Sequence, residues 1–328
     1  MNKVTHNYGT AILAAFEYLL SRYPEVFVIG QGLWSPWYVG NSMTDLDKRF
    51  GVHRVIDTPV SESACTGAAV GASLAGMMPI IVHPRIDFML YGLDAIVNQA
   101  AKWSHMTGGQ SHPAVTIRGI INRGGEQGAQ HSQSLHSWFS HIPGLRVVMP
   151  STVSDARDLL VASVLSLDPV VYLDDRWLYE QEEELGPVIE LDLTREGPRY
   201  LLRGDDITVV GSSYSTLLAK EALAKLAEKG IIGELIDLRV LNPLNPDLII
   251  ESVKKTGRLL VVDGGWRNCG LGGEIISSVM EALPLGILKA MPKRISLPDA
   301  PAPCSRVLEE KYYPTTDSIV KEVISMML

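Results

Sequence analysis

The sequence is poor in cysteine. Cys65, Cys269 and Cys304 are three in 328 residues, far apart and odd in number. That excludes a disulfide framework and a cysteine-based zinc site, and it suits a reducing compartment. A basic block is also missing. The formal net charge is −8, which argues against nucleic acid or an anionic membrane as a partner. No apolar run reaches the roughly 20 residues needed to cross a bilayer, and the opening Met1–His6 lacks a signal-peptide pattern. The expectation is a cytoplasmic protein with no membrane segment. Internal repeats and low-complexity segments are absent too.

What is present is a large supply of core. Hydrophobic residues make up 46% and charged residues 20%, enough for two buried cores in domains of about 150 residues each. Short apolar runs alternate with helical patterns, the signature of a parallel sheet covered by helices. Thr5 to Ser21 places Leu13, Phe16, Leu19 and Leu20 on one helical face. Strands are expected at Val26–Ile29, Ile80–His83, Val115–Arg118, Arg146–Met149 and Val170–Leu173, with helices between them. Ser61 to Met77 reads as a helix of small residues, including Gly67, Gly71 and Gly76. Glycine costs about 1 kcal/mol inside a helix, so several together predict that another backbone or a ligand comes close.

Periodicity breaks from Tyr179 to Asp206, a stretch with Glu180-Gln-Glu-Glu-Glu184 that reads as a solvated interdomain segment. A second unit follows. It has strands at Ile207–Gly211, Gly233–Leu238 and Arg258–Asp263, and helices at Thr216–Lys229, Gly273–Leu283 and Asp317–Met327. The fold class expected is α/β, two doubly wound domains at residues 1–185 and 200–328.

Three segments carry chemistry. Asp57-Thr-Pro-Val-Ser-Glu62 sets Glu62 at a strand-to-helix junction, behind a proline that stiffens the turn. A first-turn carboxylate favoured by the helix dipole explains such a residue by itself, but the small-residue helix behind it leaves room for a flat ligand. Gly128-Ala-Gln-His-Ser-Gln133 follows the glycine-rich Asn122-Arg-Gly-Gly125, at the carboxyl end of a strand where parallel sheets place ligands. His131 in that cluster is either loop filler or a working imidazole. The third segment, Asp263-Gly-Gly-Trp-Arg-Asn-Cys-Gly-Leu-Gly-Gly273, misses the G-x-G-x-x-G spacing, and no acidic residue ends a strand about 20 residues on. Its glycines are expected to let a turn and a helix pack closely rather than to hold a dinucleotide.

In this order the three segments resemble the beta subunit of pyruvate and branched-chain 2-oxoacid dehydrogenases. The likeness continues through Ile236-Asp-Leu-Arg239, Asn242-Pro-Leu, Pro298-Asp-Ala-Pro and Val307-Leu-Glu-Glu310, so it spans nearly the whole chain. The resemblance implies a transketolase-like pyrimidine-binding domain followed by a transketolase C-terminal domain. It implies thiamine diphosphate as cofactor and assembly of two alpha with two beta chains. Glu62 matches the glutamate at the aminopyrimidine nitrogen. Burial beside a ring disfavours the charged form of a carboxyl group, so it can share a proton there and drive the cofactor toward its nucleophilic form. Phe88 matches the aromatic residue that packs on the pyrimidine, though core filling alone would also explain it. His131 matches the histidine above the thiazolium, where an imidazole that titrates near neutrality can bond the substrate oxygen and then the acyl acceptor.

The diphosphate and magnesium signature, a Gly-Asp-Gly with downstream asparagines, is absent. The resemblance assigns it to the alpha subunit, so no metal ligand is expected in this chain. Two segments depart from the family. Gln31, in Gly30-Gln31-Gly32, stands where a carboxylate usually lines the cofactor site, and an amide cannot exchange protons as a carboxylate does. His83 and Arg85, ahead of Phe88, are unusual and would favour a polar or anionic substrate if they face it; otherwise they are ordinary loop residues. The leading expectation is an acyl-generating 2-oxoacid decarboxylase subunit that serves a lipoyl acyltransferase. The alternatives are a split transketolase-like enzyme moving a two-carbon unit to a sugar or other carbonyl acceptor, and a non-catalytic assembly subunit.

Overall fold

The computed structural model describes residues 4–328. Contacts divide them into two units, one of residues up to Asn122 with Trp138–Glu196, the other of Arg123–Ser137 with Gly197–Leu328. The segment carrying His131 is thus part of the second unit, although it lies between two stretches of the first.

The first unit contains β1 (Val4–Asn7), α1 (Tyr8–Arg22), β2 (Val26–Gln31), β3 (Val55–Thr58), α2 (Glu62–Leu74), β4 (Met78–His83), α3 (Ile86–Met89), β5 (Thr116–Ile121), β6 (Arg146–Val148), α4 (Val153–Val164), β7 (Val170–Asp175) and β8 (Glu182–Leu185). Its main sheet is parallel, in the order β6-β7-β5-β4-β2-β3. Every residue of β5 and β7 is buried, as strands covered on both faces require, and the charged residues they carry, Arg118 and Asp174, pair with each other at 2.8 Å. Gly30 is set by packing: a Cβ there would collide with the Val82 carbonyl oxygen on the adjacent strand.

The second unit contains β9 (Arg199–Leu202), β10 (Thr208–Gly211), α5 (Tyr214–Ala227), β11 (Glu234–Asp237), β12 (Val240–Asn242), α6 (Asp247–Thr256), β13 (Leu259–Trp266), α7 (Leu271–Ala282), β14 (Lys293–Leu297) and α8 (Thr316–Met327). Its sheet runs β14-β13-β10-β11-β9. Only β9 is antiparallel to its neighbour. Val209, Leu235, Leu260 and Val262 from the strands pack with Leu223 and Leu226 of α5 and with Ile319 and Val323 of α8 in one buried core.

Two expectations change. The first helix begins at Tyr8 rather than Thr5, because Val4–Asn7 pairs as β1 with β8 and Asn7 caps the helix by accepting from the Thr10 amide at 2.8 Å. The stretch from Tyr179 to Asp206 is not a plain connector, since it contributes β8 and β9. The glutamates of β8 are exposed, so backbone pairing alone makes the strand and leaves no apolar period to detect. Among the described residues no helix is long and apolar enough to cross a membrane.

Candidate active site

The carboxyl ends of β2, β3 and β4 meet at one end of the first unit's sheet. Gly30 and Gln31 of β2 pair with Asp57 and Thr58 of β3, and Gly30 also pairs with Val82, one residue before His83. Asp57 is fixed there by accepting the Leu33 amide at 3.2 Å. The turn Pro59-Val60-Ser61 then delivers Glu62 as the first residue of α2.

Glu62 is half-buried, and its carboxylate makes no hydrogen bond or ion pair with a described residue. Its backbone carbonyl accepts the Thr66 hydroxyl at 2.6 Å. The buried face of α2 is Thr66, Ala69, Val70 and Ser73, while Ser63, Ala64, Gly67, Ala68 and Gly71 are exposed. A Cβ added at Gly67 or Gly71 would meet nothing within 4 Å. The close approach expected at these glycines is therefore not made by the chain's own atoms.

His83 is 2% exposed, and its Nε2 lies 3.3 Å from Thr66 Oγ1. Because the Thr66 hydroxyl already donates to Glu62, Nε2–H of His83 must be the donor to Thr66, which assigns the neutral tautomer. Burial lowers the His83 pKa from its ordinary 6.5 to about 4, so near neutrality this side chain offers an anion no positive charge. Arg85 is half-buried at the start of α3. Burial lowers its pKa, opposed by the charge of Asp87 and reinforced by that of Arg176. Phe88, also half-buried, follows on the same short helix. Gln31 and His83 thus close β2 and β4, and Glu62, Arg85 and Phe88 follow at the helical turns after β3 and β4, at one end of one sheet.

His131 is half-buried in the second unit, its amide donating to Gly128 O at 3.3 Å. The segment around it is tied down at both ends. Arg123 Nη1 donates to Gly264 O at 3.0 Å, and the Glu126 amide donates to Glu309 Oε2 at 3.1 Å. Beyond His131, Ser134 Oγ lies 2.9 Å from His136 Nδ1, and His136 Nε2 lies 2.8 Å from Asp263 Oδ1. The amides of Gly265 and Gly272 also donate to Asp263, at 2.9 and 3.4 Å. Burial by itself would raise the Asp263 pKa, but the charge and hydrogen bond of His136 and these two amides hold it below the usual carboxylate range. The glycines of this motif make room: a Cβ on Gly264 would come 2.8 Å from Arg123 Nη1, and one on Gly265 would come 2.9 Å from His136 Cε1. Sequence reading singled out Asp263 only as part of a glycine-rich segment and missed His136 and Ser134, because 127 residues separate His136 from Asp263.

The first unit's residues fit the pyrimidine half of thiamine diphosphate. An unpartnered carboxylate is available to a ring nitrogen, and the exposed face of α2 carries nothing bulky. Among the described residues no group of three or more His, Cys, Asp or Glu is arranged to hold a metal ion.

Comparison with known proteins finds relatives over nearly the whole chain. Residues 5–181 match the transketolase pyrimidine binding domain, and residues 199–319 match the transketolase C-terminal domain. The beta subunit of acetoin:2,6-dichlorophenolindophenol oxidoreductase from Cupriavidus necator is 37% identical, over 94% of this chain and 94% of that one. The mitochondrial pyruvate dehydrogenase E1 component subunit beta of Saccharomyces cerevisiae is 36% identical, over 95% of this chain and 86% of its own. Among solved structures, a split gene transketolase described as an inactive beta4 tetramer superposes with a TM-score of 0.78 over 98% of both chains. At 20% identity that likeness speaks for the fold alone.

Proposed function

The chain belongs to the transketolase-like family of thiamine-diphosphate-dependent 2-oxoacid dehydrogenase beta subunits, and from that premise we propose that it supplies the pyrimidine half of an active site completed by an alpha partner. The observation that carries the reading is Glu62, an unpartnered carboxylate on the first turn of α2 at the carboxyl end of a parallel sheet. In the assembled enzyme, two alpha and two beta chains, the partner holds the diphosphate and magnesium. The acyl product passes to a lipoyl-bearing acyltransferase. The free thiols Cys65, Cys269 and Cys304 support a cytoplasmic setting, where thiols stay reduced.

When bound, thiamine diphosphate supplies the carbon nucleophile and the electron sink for decarboxylation. The residues of this chain supply geometry and protons. Glu62 would share a proton with the aminopyrimidine ring nitrogen, and Phe88 would pack against that ring. Gln31 would line the cofactor site where the family has a carboxylate and would offer no exchangeable proton, so a proton relay between active sites would not run through it. His131 bonds the substrate oxygen where charge develops and later the acyl acceptor. Of the two residues ahead of Phe88, Arg85 carries the charge that an anionic substrate would meet, while His83 acts as a neutral tie to α2. The split-transketolase alternative, suggested by the departures at Gln31, His83 and Arg85, is less supported: the curated relatives are dehydrogenase and oxidoreductase beta subunits, and the likeness to a transketolase structure is one of fold.

Calorimetry with thiamine diphosphate and magnesium tests the division of labour. The purified chain should bind weakly or not at all, and the mixture with its alpha partner should bind tightly. Micromolar, magnesium-dependent binding by the chain alone would overturn the reading.

A further inference from the structure

His131 is carried on a segment with little regular structure of its own to hold it. Gly124, Gly125, Glu126 and Gly128 all have left-handed backbones, with φ of 79°, 64°, 63° and 71°. Glu126 is not a glycine, and such a conformation costs an L-residue on the order of 1–2 kcal/mol. A run of this kind keeps its shape only if its surroundings impose it.

The surroundings do so through side chains on both flanks of His131. Upstream are the Arg123 and Glu126 contacts to Gly264 and Glu309. Downstream is the chain Ser134–His136–Asp263, reinforced by the Leu271 amide donating to Ser137 Oγ at 3.1 Å. We propose that this buried Ser134–His136–Asp263 chain is the positioning device that fixes the 123–137 segment on β13 and so sets where His131 stands. The inference rests on the reading of His131 given above.

A hydroxyl, an imidazole and a carboxylate in series also form the constellation of a nucleophilic serine. Here that role is excluded by access: Ser134 is 3% exposed and His136 is fully buried, whereas a nucleophile must reach its substrate. What remains is orientation. Asp263 takes three donors, one from His136, one from the Gly265 amide on β13 and one from the Gly272 amide in the first turn of α7, so its direction is fixed from its own side. An ionised Asp263 requires His136 Nε2–H to donate. The Ser134 hydroxyl can then donate to or accept from Nδ1, so the chain closes with the imidazole neutral or charged. The glycine pair Gly264-Gly265 is shaped around the same contacts, leaving space for Arg123 and His136. Both flanks of the segment therefore converge on one strand end, and His131 stands between them.

A positioning residue acts through another, and that separates it from a structural one. With the enzyme assembled from both subunits and loaded with thiamine diphosphate and magnesium, His136→Phe should lower kcat by about tenfold to a hundredfold, the scale of a displaced catalytic group. KM for the 2-oxoacid and the cofactor Kd should change by less than about twofold. His136→Gln, which keeps a donor toward Asp263, should recover part of the loss. In a cycle with His131→Ala, the double variant should be no slower than His131→Ala alone, because His136 has nothing left to position. Amide exchange across residues 126–133 should quicken at least about tenfold in His136→Phe. Unchanged kcat in His136→Phe, losses that multiply in the double variant, or unchanged amide exchange would overturn the inference. Wild-type turnover in His131→Ala would instead sink the reading of His131, leaving amide exchange to decide whether the device exists. If His136→Phe fails to assemble, His136→Gln and Asp263→Asn carry the same cycle and the same outcomes.

Discussion

His83 donates from Nε2 to the Thr66 hydroxyl across 3.3 Å, and Thr66 donates onward to the Glu62 carbonyl. The end of β4 is thereby joined to the first turn of α2, the turn that carries Glu62. Gly92 lies against the same threonine: a Cβ there would come 2.6 Å from Thr66 Oγ1.

The tie has a signature in acid. Folded His83 takes up a proton only near pH 4, against 6.5 ordinarily, so the unfolded chain binds a proton first. Its contribution is fully present above pH 6.5 and is lost as pH falls toward 4, a change on the order of 3 kcal/mol. Denaturant unfolding of the wild type and of His83→Gln at pH 7.5 and pH 4.5 isolates it. The wild type should lose more stability between the two pH values than the variant does; equal losses would contradict a buried neutral histidine.

Glu62 can be tested without disturbing the fold. Replacement by Gln nearly preserves its shape and removes its proton. General acid–base contributions are about 10²–10⁴-fold, so cofactor-dependent turnover of the assembled enzyme should fall by roughly that factor while the subunits still associate. Near-wild-type turnover would rule out the proton path.

Gly67 and Gly71 are helical glycines with open space where a Cβ would go. Within the isolated chain, Gly67→Ala and Gly71→Ala should each stabilise by about 0.5–1 kcal/mol, since alanine restricts the unfolded chain and favours helix. Chemical denaturation of the single subunit reads this directly. Destabilisation would mean that another part of the chain occupies that face.

How much of this was legible in the sequence depends on what each element buries. The parallel strands β4, β5 and β7 announce themselves through the apolar residues that burial on both faces demands, although Arg118 in β5 and Asp174 in β7 interrupt them. Strands β1, β8, β9 and β14 do not. None of these four has a wholly buried pattern, and their backbone pairing leaves no period to read. Glu62 and His131 each stand inside a compact local motif, where neighbours in sequence are neighbours in space. His136 and Asp263 form their pair only once β13 is folded beside the 123–137 segment, and no local pattern marks either partner for the other. His83 was visible as an unusual residue, but its neutrality follows from burial that composition does not express.

If this chain is half of a 2-oxoacid-decarboxylating site, neither half should turn over alone. The most direct test is carbon dioxide release from a panel of 2-oxoacids, coupled to reduction of a dye acceptor, measured for the chain, for its alpha partner and for the two together with thiamine diphosphate and magnesium. Turnover is expected only in the mixture, with at least one 2-oxoacid as donor. A mixed enzyme that binds the cofactor, releases no carbon dioxide from any 2-oxoacid and instead moves a two-carbon unit from a ketose to an aldehyde would contradict it.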